Sequence, residues 1–515
     1  MSNNSRTANS VKNIMFGFIS QAIQMVLGFI SRTIFIRYLA VEYLGVNSLF
    51  SNILSMLSLA ELGVGSAFIF SLYKPLAEKN EVAIATILRF YKKVYTSIGT
   101  FIFVAGIILM PFLHQIIPHK PEAITEDIRL IYFIFLFNSA SSYFFSYKMA
   151  LLDADQKSSI TTFNSAVFLI IQNIIQIIVL VLTRNFIFYL LVQVVVSLTS
   201  NLFISRIVDK RYPFLKAHQE AVIDAEVKHK IISNTKATFL VKIGGLLVNS
   251  TDNLIINYFV GLALLGKFSN YLMLIAMGTN FLAIIFANAK SSVANVTVLE
   301  SKSKQVEIFK AMNFANFWAY GVSSILIVFM VNDFITIWIG KSYTLAMAIP
   351  IMLAINFFMV GMQNAFWTFK SVYGFFQYGK YMVLLTALIN LIFSFGLGYF
   401  YGIFGVLLAT AIARLITNFW YDPYIVLKLG LQMNPMTYLN QFLKYVAILV
   451  LSGFIIYFIS LGLHFSILAN SLIRLVLCLV IPNMFIIVFF KNKPEFQKVV
   501  EIGKRTLNIL IKKVT

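Results

Sequence analysis

Hydrophobic residues in this chain do not alternate with polar ones on a short period; they come in blocks. Apolar runs of roughly 20 residues follow one another from end to end, separated by short stretches that hold most of the charge. Wound as an α-helix, a run of that length crosses about 30 Å of hydrocarbon. The blocks predict about 14 membrane spans. The first six run near Ile14–Ile36, Val46–Phe70, Val94–Ile117, Leu130–Leu151, Ile160–Thr183 and Phe186–Ile207. Six more follow near Thr238–Val260, Phe268–Ala289, Ala311–Val331, Ala346–Phe369, Tyr381–Phe400 and Ile403–Leu427, and a last pair near Phe442–Leu461 and Leu472–Phe490. An all-α polytopic membrane protein is expected.

The polar stretches add an orientation. With the N-terminus in the cytoplasm, about 33 of the 41 Lys and Arg residues fall on the cytoplasmic side and about 8 on the other, a strong positive-inside bias. Both termini are then cytoplasmic. The opening residues MSNNSRTANSVKN are polar and lead to no small-residue cleavage site, so no cleavable signal is expected. The external loops are short, and the longest, HQIIPHKPEAITEDIR, has no room for a folded domain.

Composition agrees with the pattern. Of 515 residues 59% are hydrophobic and 12% charged, about half the charged fraction of a soluble domain. The net charge of +21 raises nucleic acid as a partner, but basic residues placed in interhelical loops belong to membrane orientation, and no nucleic-acid partner is expected. Cys478 is the single cysteine, so no intrachain disulfide forms. The five histidines lack metal-ligand spacing, and no GxxxxGK[ST] phosphate loop occurs. Neither an enzyme nor an ATP-driven pump is indicated, and no cofactor is expected.

A weak internal repeat divides the chain. RTIFIRYLAVEYLGVNSLFSN from Arg32 and DNLIINYFVGLALLGKFSNYL from Asp252 match Tyr38 with Tyr258 and, after one inserted residue, Gly45 with Gly266. The expected organisation is a cytoplasmic N-terminus (1–13), an N-lobe of six helices (14–207), a cytoplasmic linker (208–237), a C-lobe of six (238–430), two further helices (431–490) and a basic tail (491–515). In the tail, Phe496, Val499, Val500, Leu507, Leu510, Ile511 and Val514 recur at helical spacing among lysines, as in an interfacial amphipathic helix lying on membrane lipid. Duplicated bundles are the usual construction of secondary transporters.

Charge inside the spans is costly and marks a cavity or a partner. Arg32 and Arg37 lie on the first span, Glu61 on the second, Lys242 and Asp252 on the seventh and Arg414 on the twelfth. Arg37 and Lys242 are close enough to span ends to snorkel as anchors, and Glu61 has the alternative of a structural ion pair. A cavity carrying Arg and Lys with few acids suits an anion such as a diphosphate. Asn164, Gln172, Asn173 and Gln176 on the fifth span are expected to line something wet.

RTIFIRYLAVEYLGVNSLFSNILSMLSLAELGVGSAFIFSLYKPLAEKN, from Arg32 to Asn80, resembles the Wzx-type flippases of the multidrug/oligosaccharidyl-lipid/polysaccharide (MOP) exporter superfamily, as do KRYPFL and TDNLIINYFVG near the seventh span. That resemblance implies two pseudo-symmetric lobes alternating between inward-open and outward-open states around a cationic cavity. The substrate it implies is an undecaprenyl-diphosphate-linked repeat unit of O-antigen, capsule or exopolysaccharide, with the bacterial cytoplasmic membrane as location and polysaccharide polymerase or assembly proteins as partners. GFISRTIFIR also resembles the first-helix region of lipid II flippases, where arginines contact the diphosphate. The likeness assigns the head group to Arg32 first and Arg37 next, although the spacing between the arginines differs. Arg414 and Lys242 complete the expected substrate-binding set; Glu61 and Asp252 are the expected gating carboxylates, through which a proton or sodium would be coupled. The rival readings are a drug or cation antiporter of the same superfamily and a polymerase, ligase or glycosyltransferase of the same pathway.

Overall fold

The computed structural model describes residues 3–514 apart from 62, 119, 218–222, 288–292, 294–296, 298 and 299; the side chains of 3–20, of 505–514, of most of 236–249 and of 60, 216, 230, 234, 284, 287, 376 and 380 also lie outside the description. The described chain is built of helices. α1 is Asn3–Tyr38, α2 Val41–Leu57, α3 Val64–Ala77, α4 Glu81–Leu109, α5 Ile128–Ala154, α6 Ser158–Thr183, α7 Phe186–Arg211 and α8 Ala225–Ala287. α9 is Lys302–Ile339, α10 Ala348–Val372, α11 Lys380–Ile416, α12 Pro435–Leu461, α13 Ile467–Phe490 and α14 Pro494–Val514. The polar residue before a run frequently caps the helix: Asn80, Asp127, Asn185, Ser301, Asn434 and Ser466 each accept from a main-chain N–H in the first turn that follows.

Ten helical stretches among the described residues are long and apolar enough to cross a membrane. They hold twelve of the expected spans, because two stretches carry two each. α8 departs from helical geometry at Gly261 (φ 80°, ψ 172°), between the seventh and eighth spans. α11 does so at Gly402 (φ 55°, ψ −132°), between the eleventh and twelfth. α1 contains the first. The second span differs from expectation. Instead of one helix over Val46–Phe70, α2 stops at Leu57, a 3₁₀ turn covers Ser58–Glu61, and α3 restarts after Gly63 at φ 88°. That positive φ suits glycine, and no polar run in the sequence announces the break.

The chain separates into two compact units, residues 1–266 and 267–515. In the first, α2 meets the α8 backbone at two glycines. A Cβ on Gly45 would stand 2.1 Å from the Leu262 carbonyl oxygen, and one on Gly266 would stand 2.1 Å from that of Val41. Only a residue without a side chain admits such approach. These are the two glycines matched in the repeat, so that match coincides with a packing requirement. In the second unit, Phe309, Phe366, Phe369, Val426 and Leu427 form a buried core cluster. The start of α14 packs on α9: Phe496 stacks on Trp318 at 5.5 Å between ring centres, and Lys498 reaches Glu307 at 3.7 Å. Val499 and Val500 are half-buried, and Leu507, Leu510, Ile511 and Val514 have side chains outside the description.

Candidate functional site

The interrupted second span builds the site. Serine and glycine around the break expose main chain that a membrane core would not tolerate, unless it faces protein or a cavity. Here it faces a cavity of about 600 Å³ within the first unit, in the size range of small-molecule sites. From α2, the turn and α3 come Ser51, Ser55, Ser58, Glu61, Gly63 and Ser66; α5 adds Asn138, Ser139 and Ser142, and α7 adds Gln193 and Ser197. Leu54 and Phe135 supply apolar wall. No basic side chain occurs among the described lining residues.

Glu61 is half-buried and held by tyrosines. Tyr95 of α4 donates to Glu61 Oε1 at 2.7 Å, and the Tyr143 hydroxyl of α5 is turned to both Glu61 and Ser58. Tyr91 stands edge-on to Tyr95 at 4.5 Å and stacks on Phe68 at 4.2 Å, which fixes the donors by packing. Gly65 keeps this cluster closed, since a Cβ there would lie 3.2 Å from the Tyr95 hydroxyl and 3.3 Å from that of Tyr91. No described ion pair contains Glu61. A carboxylate at membrane depth is thus satisfied by neutral O–H donors, which the sequence reading did not anticipate.

The other expected site residues lie elsewhere. Arg32 is half-buried on α1 and faces Tyr189 of α7, whose ring packs on Phe35 at 5.3 Å. Its described contacts and those of Glu61 fall on different helices. Arg37 is exposed at the end of α1. Asp252 is half-buried on α8, and the Lys242 side chain lies outside the described residues. In the second unit Arg414 donates from Nη1 to Asn356 Oδ1 at 3.3 Å, and Asn356 in turn donates to the Leu407 carbonyl at 3.0 Å. The arginine therefore also ties α11 to α10.

The polar positions of the fifth span need correction. Asn164, Asn173 and Gln176 are buried rather than wet. Asn164 donates to Ser200 Oγ at 2.9 Å and Gln176 to the Tyr189 carbonyl at 3.1 Å, so they bond α6 to α7, a common use of carboxamides between membrane helices. Several charges passed over in the sequence are paired inside the bundles. Lys148 meets Asp209 at 2.7 Å and Ser205 at 2.7 Å. Lys370 meets Asp422 at 2.5 Å, and Arg474 meets Asp333 at 2.7 Å. Their positions at or near span ends made them look like loop charges.

Neither a family model nor a curated protein sequence matches the chain. Solved structures do. The chain is similar to the lipid II flippase MurJ in an inward closed conformation, with a TM-score of 0.64 and 15% identity over 93% of this chain and 99% of that one. It is similar to an inward-facing multidrug resistance MATE family transporter of the MOP superfamily, with a TM-score of 0.58 and 12% identity over 79% of this chain and 96% of that one. A MOP superfamily transporter from Pyrococcus furiosus, described by the reversed polarity of its binding pocket, gives 0.50 and 12% over 82% and 96%. At these identities the likeness shows the fold: an all-α, multi-pass membrane protein with the architecture of the MOP exporters.

Proposed function

We propose that the chain is a flippase that moves undecaprenyl-diphosphate-linked oligosaccharide repeat units across the bacterial cytoplasmic membrane by alternating access, with both termini in the cytoplasm. The observation that carries this reading is the cavity beside Glu61: hydroxyls, carboxamides and one carboxylate gathered inside apolar helices, the hydrogen-bonding surface that a polyhydroxylated head group needs. Support comes from the fold similarity to a lipid II flippase, which extends over 93% of the chain. Arg32, with Arg37, Lys242 and Arg414, is assigned to the diphosphate, and Glu61 and Asp252 to coupling. The chain breaks no covalent bond in this reading, and it hands its cargo to polymerase or assembly proteins.

The test is reconstitution. Vesicles carrying the purified chain and a lipid-linked oligosaccharide should expose the sugar on the opposite face faster than protein-free vesicles, and equal rates would end the proposal. Arg32→Ala should abolish that movement at normal protein level, and Arg32→Lys should restore only part of it, because a point charge does not reproduce the guanidinium fork.

One observation favours a second reading. Glu61 lines a cavity without a described basic residue, which is also what a cation antiporter requires. Export of a fluorescent cation from vesicles, with no movement of lipid-linked sugar, would replace the first reading with this one.

A further inference from the structure

Four serines on the wall of the Glu61 cavity have already committed their protons. Ser55 Oγ donates to the Ser51 carbonyl at 2.8 Å and Ser58 Oγ to that of Leu54 at 2.9 Å. Ser66 Oγ donates to the Gly63 carbonyl at 3.1 Å and Ser142 Oγ to that of Ser139 at 2.7 Å. A carbonyl oxygen only accepts, and a hydroxyl has one proton to give. Each of these serines is left with lone pairs for the cavity. Asn138 also lines this wall, but its Oδ1 is buried behind the surface, without a donor among the described residues. A carboxylate is acceptor-only and takes about four hydrogen bonds; at Glu61 the Tyr95 hydroxyl fills one of these sites, at 2.7 Å. The wall is rich in acceptors, carries the Glu61 carboxyl and has no described basic residue; the Asn138 and Gln193 amides are its nitrogen donors.

An occupant has to bring what the wall lacks. A diphosphate brings acceptors and negative charge, so it meets like with like. A neutral sugar brings hydroxyl donors but leaves the charge of Glu61 uncompensated. A sugar bearing a protonated amine brings hydroxyls and, from one atom, three N–H donors and a positive charge. A bare metal ion supplies charge, yet leaves most of a 600 Å³ space to water at about 30 Å³ per molecule.

Resting on the flippase reading, we propose that this cavity receives an amino-sugar residue with a free amine, its ammonium against Glu61 and its hydroxyls on the serine lone pairs. The diphosphate is then held outside this cavity, and the Glu61 cavity selects the sugar.

The full-length chain in nanodiscs is titrated with glucosamine, glucose and N-acetylglucosamine, and separately with sodium, with binding read by saturation-transfer NMR at a pH where the glucosamine amine is charged. Glucosamine should bind about tenfold more tightly than either neutral sugar, a difference of about 1.4 kcal/mol. Glu61→Gln, which keeps an acceptor for Tyr95, should erase that preference. Equal binding of the three sugars by the unaltered chain overturns the inference, even if the variant fails to fold. A preference undiminished in Glu61→Gln overturns it too, as does sodium binding that depends on Glu61 with no sugar preference. The reading beneath it fails separately. If vesicles move a lipid-linked neutral sugar as fast as its amino counterpart, the flippase stands and the inference falls. If glucosamine is preferred and no lipid-linked sugar moves, the ammonium site stands and the flippase falls.

Discussion

Each unit of this chain encloses a carboxylate among its helices, and the two are satisfied in opposite ways. Asp422, in the second unit, has 6% of its side chain exposed and meets Lys370 at 2.5 Å, with the Trp367 indole N–H on its other oxygen at 3.2 Å. Glu61, in the first, meets no described cation; tyrosine hydroxyls hold it at the edge of a cavity where the helix breaks. A buried acid paired with a base has its charge neutralised and its geometry fixed, which leaves it nothing further to bind. An acid held by neutral hydroxyls has no described cation against it and stays open to a ligand. The difference separates a carboxylate that maintains structure from one available to a ligand, although both are single acids inside apolar runs.

Breaking the first pair should have the largest effect on stability. Asp422→Ala strands the Lys370 ammonium, which has 15% of its side chain exposed, and should cost about 3–5 kcal/mol, read as lost folded protein and a lower melting temperature. Replacing both partners with apolar residues, Lys370→Met with Asp422→Leu, should recover most of that loss, because no charge is left unpaired. If the double variant is as unstable as the single one, the pair has a role beyond neutralisation.

Glu61→Gln should be milder for folding, under about 1 kcal/mol, since the amide oxygen still accepts from Tyr95. Its effect should fall on transport, with movement of lipid-linked sugar lost at normal abundance. In transport the smallest change is that of Tyr95→Phe, which removes one donor at a folding cost of about 0.5–1.5 kcal/mol. It should weaken transport without abolishing it, because Tyr143 still faces the carboxylate. A drop in stability for Glu61→Gln as large as that for Asp422→Ala would erase the distinction between the two acids.

Much of the architecture was legible in the sequence because membrane spans write themselves as long apolar blocks. The turns at Gly261 and Gly402 fall where two blocks were parted, and the glycines matched in the repeat, Gly45 and Gly266, stand at a backbone contact. The interruption after Leu57 was not legible, since SLAELGVG is as apolar as the helices on either side and only Gly63 betrays it. Glu61 stood out as a charge in an apolar run, but its partners did not: Tyr91, Tyr95 and Tyr143 look like any aromatic residues of a span until the fold brings them together. The serine wall was missed for a related reason, because single serines on α2 and α5 carry no periodic signal. Polarity also misled. Asn164 and Gln176 bond helix to helix, whereas the polar cavity is lined by the second span, α5 and α7.

The measurement that bears most directly on the account is the rate at which lipid-linked oligosaccharide crosses reconstituted vesicles per folded molecule, compared between Glu61→Gln and the Lys370→Met, Asp422→Leu double variant. Glu61→Gln should lose about tenfold or more in rate, equivalent to about 1.4 kcal/mol, and the double variant should stay close to the unaltered chain. Unchanged transport in Glu61→Gln, or its loss only in the double variant, would contradict the assignment of the working carboxylate to the Glu61 cavity.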